Sequence, residues 1–471
     1  MPGSDGVGAR REIRVLPLPP VVRGYPLAVV SHGLVFIGGL RGERPDGRRA
    51  FGDLPETFRA KGFSGYALAD HLEARFAEDA WCAHENLHNA VLAAGGDPDQ
   101  VLRLHIWMKD KRVFPVYERV RMAWQSVPAA SSCLGVAVVA GRFGGLCGLE
   151  AIAVVPGENP LLPGRGQVVR PDNPDFPSAA FYAQATRCGY LVFLAGHIPI
   201  ATDRPGFPLI AGYVDVPEEG RALQTGRSHT DSRQGAIAAQ TWYVYDRIRS
   251  GLAAQGLALA DIRHVAVMLQ DIRDFGTFHC IHQQFFPHEG PALMVAGFGE
   301  VGHRGTLIEI EPTALDPAAG VAAETVPWPF PAPFAGPAAA CIGPHIFFAG
   351  MLGLDPDGRI VRCADDLPTG RARRIAADLA RLEHRPGFAA QCWAAWQRLS
   401  DACGALGLGP ECLVKTTIYL HDPEDIFVYE EVREHFLASS GPLPAVDVVA
   451  VPAPGPVADA LVQIEAIGAR P

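Results

Sequence analysis

The apolar positions along the chain fall into the same succession of periods three times. Each round begins with two short apolar runs on either side of a turn. They are PLAVV (Pro26–Val30) with LVFIGG (Leu34–Gly39), FYAQAT (Phe181–Thr186) with YLVFLAG (Tyr190–Gly196), and AAACI (Ala338–Ile342) with HIFFAG (His345–Gly350). Paired runs of this kind predict a β-hairpin. Each second run ends on a glycine, where backbone can approach a neighbour closely. A polar insertion follows, and then the apolar spacing changes to steps of three and four, which predicts an amphipathic helix. The three helices are expected over roughly Glu78–Ala94, Gly235–Gln255 and Phe388–Leu406. Their buried stripes should be His84, Leu87 and Val91, then Tyr245, Ile248 and Leu252, then Trp396, Leu399 and Cys403.

The most regular stretch comes next. Gly95–Asp110 (GGDPDQVLRLHIWMKD), Gly256–Asp271 (GLALADIRHVAVMLQD) and Gly407–Asp422 (GLGPECLVKTTIYLHD) each read as a helix-ending glycine, a turn, a strand and a loop aspartate. A second helix is expected at Phe114–Trp124, Phe275–Phe286 and Ile426–Leu437, followed by two closing strands. The repeated order ββαβαββ predicts an α+β fold of three tandem domains, each a mixed sheet with two helices on one face. Their expected bounds are 23–157, 178–315 and 335–470, separated by Pro/Gly-rich linkers.

Composition narrows the functional classes. The 471 residues carry a net charge of −10, which disfavours a nucleic-acid partner. No apolar run approaches the roughly 20 residues of a membrane span, and the first residues lack a signal-peptide core. The ten cysteines form no CxxC pair, which points to reduced thiols and a cytoplasmic location. His84-Glu85-Asn86-Leu87-His88 is a literal HExxH. However, His84 occupies the apolar slot of Tyr245 and Trp396, so the expectation is a packed histidine and no metal.

The repeated phrases resemble the RidA/YjgF family of reactive-intermediate deaminases, formerly called endoribonuclease L-PSP. The features carrying the resemblance are the strand-ending glycines, the organising strand with its aspartate and following aromatics, and the closing LEAIAV (Leu149–Val154), IEIEPTA (Ile308–Ala314) and QIEAIGA (Gln463–Ala469). The resemblance implies a monomeric intramolecular pseudo-trimer, with further homodimerisation left open, and small-molecule clefts between domains. It implies hydrolysis of imines or enamines, or cleavage of a related C–N or C–O bond, with no cofactor. Chorismatases share this architecture, so a chorismatase-like hydrolase or lyase is one alternative. A non-catalytic ligand-binding or scaffold protein is another.

In the family an arginine on the first closing strand clamps the substrate carboxylate, a task suited to a bidentate guanidinium. Its slot reads here as Ala130, Leu293 and Pro444 (or Val446), so the arginine is absent from every copy. The family glutamate that positions water maps to Gly148, Glu309 and Gln463, so only the middle copy keeps it. The following glutamate (Glu150, Glu311, Glu465) stands in all three copies, which suggests a structural role. After the strand-ending glycine come Leu40, His197 and Met351, and His197 alone can transfer a proton near neutrality. Glu309 and His197 are therefore the expected catalytic pair, beside Gly196. Arg304, or Arg41 among Arg41, Arg44, Arg48 and Arg49, is a candidate replacement clamp, and Cys133 lies near the vacated slot. The insertions after the glycines are expected to act as lids.

Overall fold

The computed structural model describes residues 10–14, 24–44, 54, 67–139, 145–157, 167–329, 334, 336–437 and 441–471. Arg48, Arg49 and most of the first insertion lie outside the described residues. The first repeat comprises β1 (Arg11–Ile13), β2 (Ala28–Ser31), β3 (Leu34–Arg41), α1 (Ala67–Ala93), β4 (Val101–Met108), α2 (Phe114–Trp124), β5 (Ala130–Gly135) and β6 (Cys147–Val154). The second comprises β7 (Ala185–Cys188), β8 (Leu191–Leu194), α3 (Ser228–Ala253), β9 (Ile262–Leu269), α4 (Phe275–Phe285), β10 (Ala292–Gly297), β11 (Glu300–Val301) and β12 (Ile308–Leu315). The third comprises β13 (Ala323–Val326), β14 (Ala339–Ile342), β15 (His345–Phe348), β16 (Met351–Leu352), α5 (Gly370–Leu379), α6 (Phe388–Ala405), β17 (Leu413–Leu420), α7 (Ile426–Arg433), β18 (Ala445–Ala450) and β19 (Val462–Ala469).

The organising phrase works through its two ends. Gly95, Gly256 and Gly407 all adopt left-handed φ, between 71° and 86°. That conformation closes the long helix with paired back-bonds, such as Gly96 N–H to Val91 O and Leu257 N–H to Leu252 O (both 2.9 Å). At the other end Asp110, Asp271 and Asp422 accept backbone N–H bonds from Arg112, Arg273 and Glu424. They cap the turn that leads into the second helix. The strand between them, β4, β9 or β17, is almost entirely buried and pairs in parallel with the first closing strand and antiparallel with the last. The stripes read from the sequence are buried in all three long helices. The α+β class and the three mixed sheets with helices follow.

Several features depart from the expected layout. α1 and α3 begin earlier than their apolar spacing implied, and the third insertion folds a helix of its own, α5. Stretches outside the expected repeat bounds supply edge strands: β1, ahead of the first repeat, pairs β2, and β13, in the second linker, pairs β14, blunting edges that would otherwise be open. β11 leaves its own repeat and joins the first sheet beside β5.

Each sheet touches both others. β4 and β5 pack against β7 and β8, β9 and β10 against β14 and β15, and β17 and β18 against β3. The three copies thus close a ring within one chain. On its inner side lies a buried ionic network. His105 Nε2 meets Glu311 at 2.8 Å while its Nδ1 meets Glu150, Arg103 Nε meets Glu311 at 3.0 Å, and Lys415 Nζ meets Glu150 at 2.8 Å. Tyr419 donates to Glu465 at 2.7 Å. The three shared glutamates are therefore tied into inter-strand and inter-repeat contacts, which is what their presence in every copy suggested.

Candidate active site

The seam between the first two repeats encloses a cavity of about 590 Å³. Its wall from the first repeat is the β5 edge, Ser131 and Cys133, with Lys111 and Arg121 reaching over it. Its wall from the second repeat is Gly196, His197 and Glu309, with Tyr182 and the loop around Gly302–Thr306. The ring geometry produces this juxtaposition, for the Gly196 N–H donates to Ser131 O at 3.2 Å. The same contact recurs in the next seam, where Gly350 N–H donates to Leu293 O at 3.1 Å.

That recurrence corrects the position of the vacated arginine slot. Strand pairing sets Arg103 opposite Ala130, His264 opposite Ala292 and Lys415 opposite Ala445. Ser131, Leu293 and Val446 are therefore equivalent, one residue later than Ala130 and two later than Pro444. A one-residue slip turns a side chain to the other face of a strand. The slot still carries no arginine of its own. Instead Arg121, from α2, brings Nη1 to within 3.1 Å of Ser131 Oγ. Its Nη2 donates to Glu118 at 3.0 Å, its guanidinium lies over Phe181, and its buried Nε has no hydrogen-bond partner. In the sequence α2 reads only as the second helix of its repeat, and no residue on it is singled out. The signal was a charged residue on its inward face, matched by His282 and Arg433 in the other copies.

Glu309 is buried, at 3% exposure, and lies directly over Gly196. A Cβ on Gly196 would sit 1.9 Å from Glu309 Oε1. Burial pushes the Glu309 carboxyl up to about 7. The Lys111 charge and a Gly302 N–H bond oppose that rise, and the charge of Glu311 adds to it. The carboxyl can therefore both accept and donate a proton near neutrality. In the next seam the same place holds Gln463, whose amide donates to Val295 O at 3.0 Å and to Pro454 O. In the remaining copy it is Gly148. Gly196→Ala is expected to abolish turnover by displacing the Glu309 carboxylate. Gly350→Ala, where a Cβ would lie 2.0 Å from Gln463 Oε1, should perturb packing similarly and spare turnover. Equal losses in the two variants would contradict this assignment.

His197 lines the same cavity. Burial, with the Arg247 charge adding, lowers its imidazole to about 4, so the ring is neutral at pH 7. Nδ1 lies 2.7 Å from Ala195 O, an acceptor only. Nδ1 therefore carries the proton and Nε2 is left with a lone pair. Its neutrality makes it an acceptor rather than a general acid. Cys133 also faces the cavity, but burial lifts its thiol to about 11 and its Sγ lies 3.1 Å from Met108 Sδ. It packs and does not supply a thiolate. Arg304 is exposed at the rim. Arg41 is elsewhere, on β3 opposite Gly148, where its carbonyl accepts from Asn86 at 2.8 Å. His84 of the HExxH run is buried against the Tyr117 hydroxyl at 3.1 Å, while Glu85 pairs with Arg44. Among the described residues no group of three potential metal ligands gathers, and no helix is long and apolar enough to cross a membrane.

Fold and cleft together define a class: repeated α+β domains with a buried carboxyl lining a cavity at a domain seam. The family described as endoribonuclease L-PSP matches residues 173–316, which hold β7 to β12. A RutC family protein of Pyrococcus horikoshii is 29% identical over 133 residues, 28% of this chain and 85% of its own. A candidate endoribonuclease structure from Klebsiella pneumoniae is 33% identical, over 28% of this chain and 98% of its own, with a TM-score of 0.27. A chorismatase structure aligns over 79% of this chain and 93% of its own at 13% identity, with a TM-score of 0.45. The middle repeat of the chain thus carries the match to the RidA/YjgF (endoribonuclease L-PSP) family.

Proposed function

We propose that this chain is an intramolecular pseudo-trimer that hydrolyses the imine or enamine of a small carboxylate-bearing metabolite, in the cleft between its first two repeats. The observation that carries this reading is a single buried carboxyl, Glu309, held near neutrality in a cavity of small-molecule size beside a buried arginine. Arg121 takes the place of the absent family arginine and receives the substrate carboxylate. Ionised Glu309 removes a proton from water as its oxygen bonds to the imine carbon, and the C=N pair moves to nitrogen. Protonated Glu309 then returns the proton to that nitrogen. Glu309 then takes the hydroxyl proton of the carbinolamine and passes it to the amino nitrogen as the C–N bond breaks and the oxygen's electron pair forms C=O, so that ammonia leaves and the ketone remains. The neutral His197 Nε2 accepts a hydrogen bond from the substrate's N–H and orients it.

The other two seams lack this chemistry. The second holds the non-ionising Gln463, and the third holds Gly148, so one turnover site per chain is the expectation. Arg121→Met tests the clamp with freshly generated 2-imino acids. Losing one charge-assisted pair should raise KM by roughly tenfold to a hundredfold, about 1.5–3 kcal/mol, with a smaller effect on kcat. An unchanged KM would overturn the role given to Arg121.

A further inference from the structure

Resting on the reading of this cleft as the substrate site, we propose that the substrate carries two acidic groups: it is a short dicarboxylate, gripped by Arg121 at Ser131 and by Lys111 at Cys133.

The cleft runs against the charge of the chain. The protein carries −10 overall, yet five cationic side chains and only two carboxylates line this cavity. Three of the cations have other work. Arg112 is neutralised by Asp110, with Nε at 2.9 Å. Arg247 donates to Ile200 O and to Thr202 Oγ at 3.2 Å, bracing the loop after Gly196. The equivalent Arg398 braces the third repeat by donating to Leu354 O at 3.0 Å and Asp355 O at 2.7 Å. Arg304 is exposed at the rim. Arg121 pairs with Glu118 through Nη2 but turns Nη1 to Ser131 and leaves Nε without a partner, and it and Lys111 remain.

Lys111 has no such fold role. Its Nζ donates to the carbonyl of Cys133. Among the described residues no carboxylate pairs with that ammonium, for Glu300 accepts from the Lys111 backbone N–H instead (3.0 Å). The position directly follows the capping aspartate, where the other copies carry Ile272 and Pro423, so the ring closes without a cation there. A partly buried ammonium held only by a carbonyl is suited to receive an anion.

Spacing sets the ligand's size. Ser131 and Cys133 lie two residues apart on β5, a rise of about 7 Å along the strand, and Arg121 meets the first through its hydroxyl and Lys111 the second through its carbonyl. A linear diacid of about five or six carbons spans that interval. The reacting carbon would then lie along the chain between the two anchors, on the side faced by Gly196 and Glu309.

The test is calorimetric titration of the whole protein with glutarate and adipate, against pentanoate and hexanoate. None has a reactive C=N bond, so binding is read apart from turnover. The expected result is at least tenfold tighter binding of the diacids. Lys111→Met should remove that preference by weakening the diacids at least tenfold more than the monoacids, and Lys111→Arg should restore it. Monoacids binding as tightly as diacids, or a diacid preference that survives Lys111→Met, would overturn the second anchor and leave the cleft reading intact. No binding of either class would overturn both.

Discussion

Glu309→Gln is expected to lower turnover by about 10²- to 10⁴-fold, the usual contribution of a positioned acid–base group, while making the folded protein more stable at pH 8. The two effects share one cause. Burial raises the folded-state carboxyl to about 7, above its ordinary value of 4.5. A carboxyl raised in this way favours the folded state while protonated, and that advantage fades as pH climbs from about 4.5 through about 7. The shift corresponds to something on the order of 3 kcal/mol of destabilisation at alkaline pH. Glutamine has the same shape and no charge, and the third repeat shows how such an amide is satisfied: Gln463 donates to two backbone carbonyls over Gly350. Thermal melts should therefore show a gain for the variant at pH 8 and little gain at pH 5. Undiminished turnover would remove Glu309 from the mechanism. A loss of stability at both pH values would make it structural.

Arg103→Met is expected to cost about 3–5 kcal/mol, because removing one partner of a buried pair leaves the other uncompensated. Arg103 is 5% exposed and joins two repeats. It pairs with Glu311 at 3.0 Å, donates to Thr313 Oγ1 at 2.9 Å and lies over the Phe193 ring. The network should also give the protein a pH signature. Burial opposes protonation of His105, but the charges of Glu311 and Glu150 win and lift it to about 10. Its contribution is complete below about 6.5 and is lost as pH rises through about 10. Burial likewise opposes ionisation of Glu311, but Arg103 and His105 draw it down to about 2. Its contribution holds above about 4.5 and disappears as pH falls through about 2. The network therefore stabilises most between about pH 4.5 and 6.5. Denaturant titrations across this range check both claims. A variant within about 1 kcal/mol of wild type would mean that solvent or neighbouring groups absorb the Glu311 charge.

The fold was legible because its controlling residues act locally. A glycine at left-handed φ, a buried strand and a capping aspartate imprint their spacing on the chain wherever the unit recurs. The edge strands β1 and β13 and the helix α5 were not legible, since they arise from stretches outside the repeated pattern that acquire structure only against an existing sheet or helix. The candidate site divides the same way. Glu309 and His197 stood out as chemistry present in one copy and missing from the others. Lys111 obeys the same rule, with Ile272 and Pro423 opposite it, but its importance depends on facing a wall from a different repeat. Arg121 was hidden by that dependence and by the one-residue slip at Ala130. The run Val127–Cys133 carries two adjacent serines, Ser131 and Ser132, and only strand pairing shows that Ser131 occupies the slot.

The pH dependence of wild-type turnover between about pH 5 and 9, measured as ammonia released from freshly generated 2-imino acids, tests the central claim most directly. The account predicts a rise in rate through a single ionisation near 7, the Glu309 carboxyl losing its proton, and a low, level profile in Glu309→Gln. A profile without that ionisation, or the same ionisation in both proteins, would contradict it.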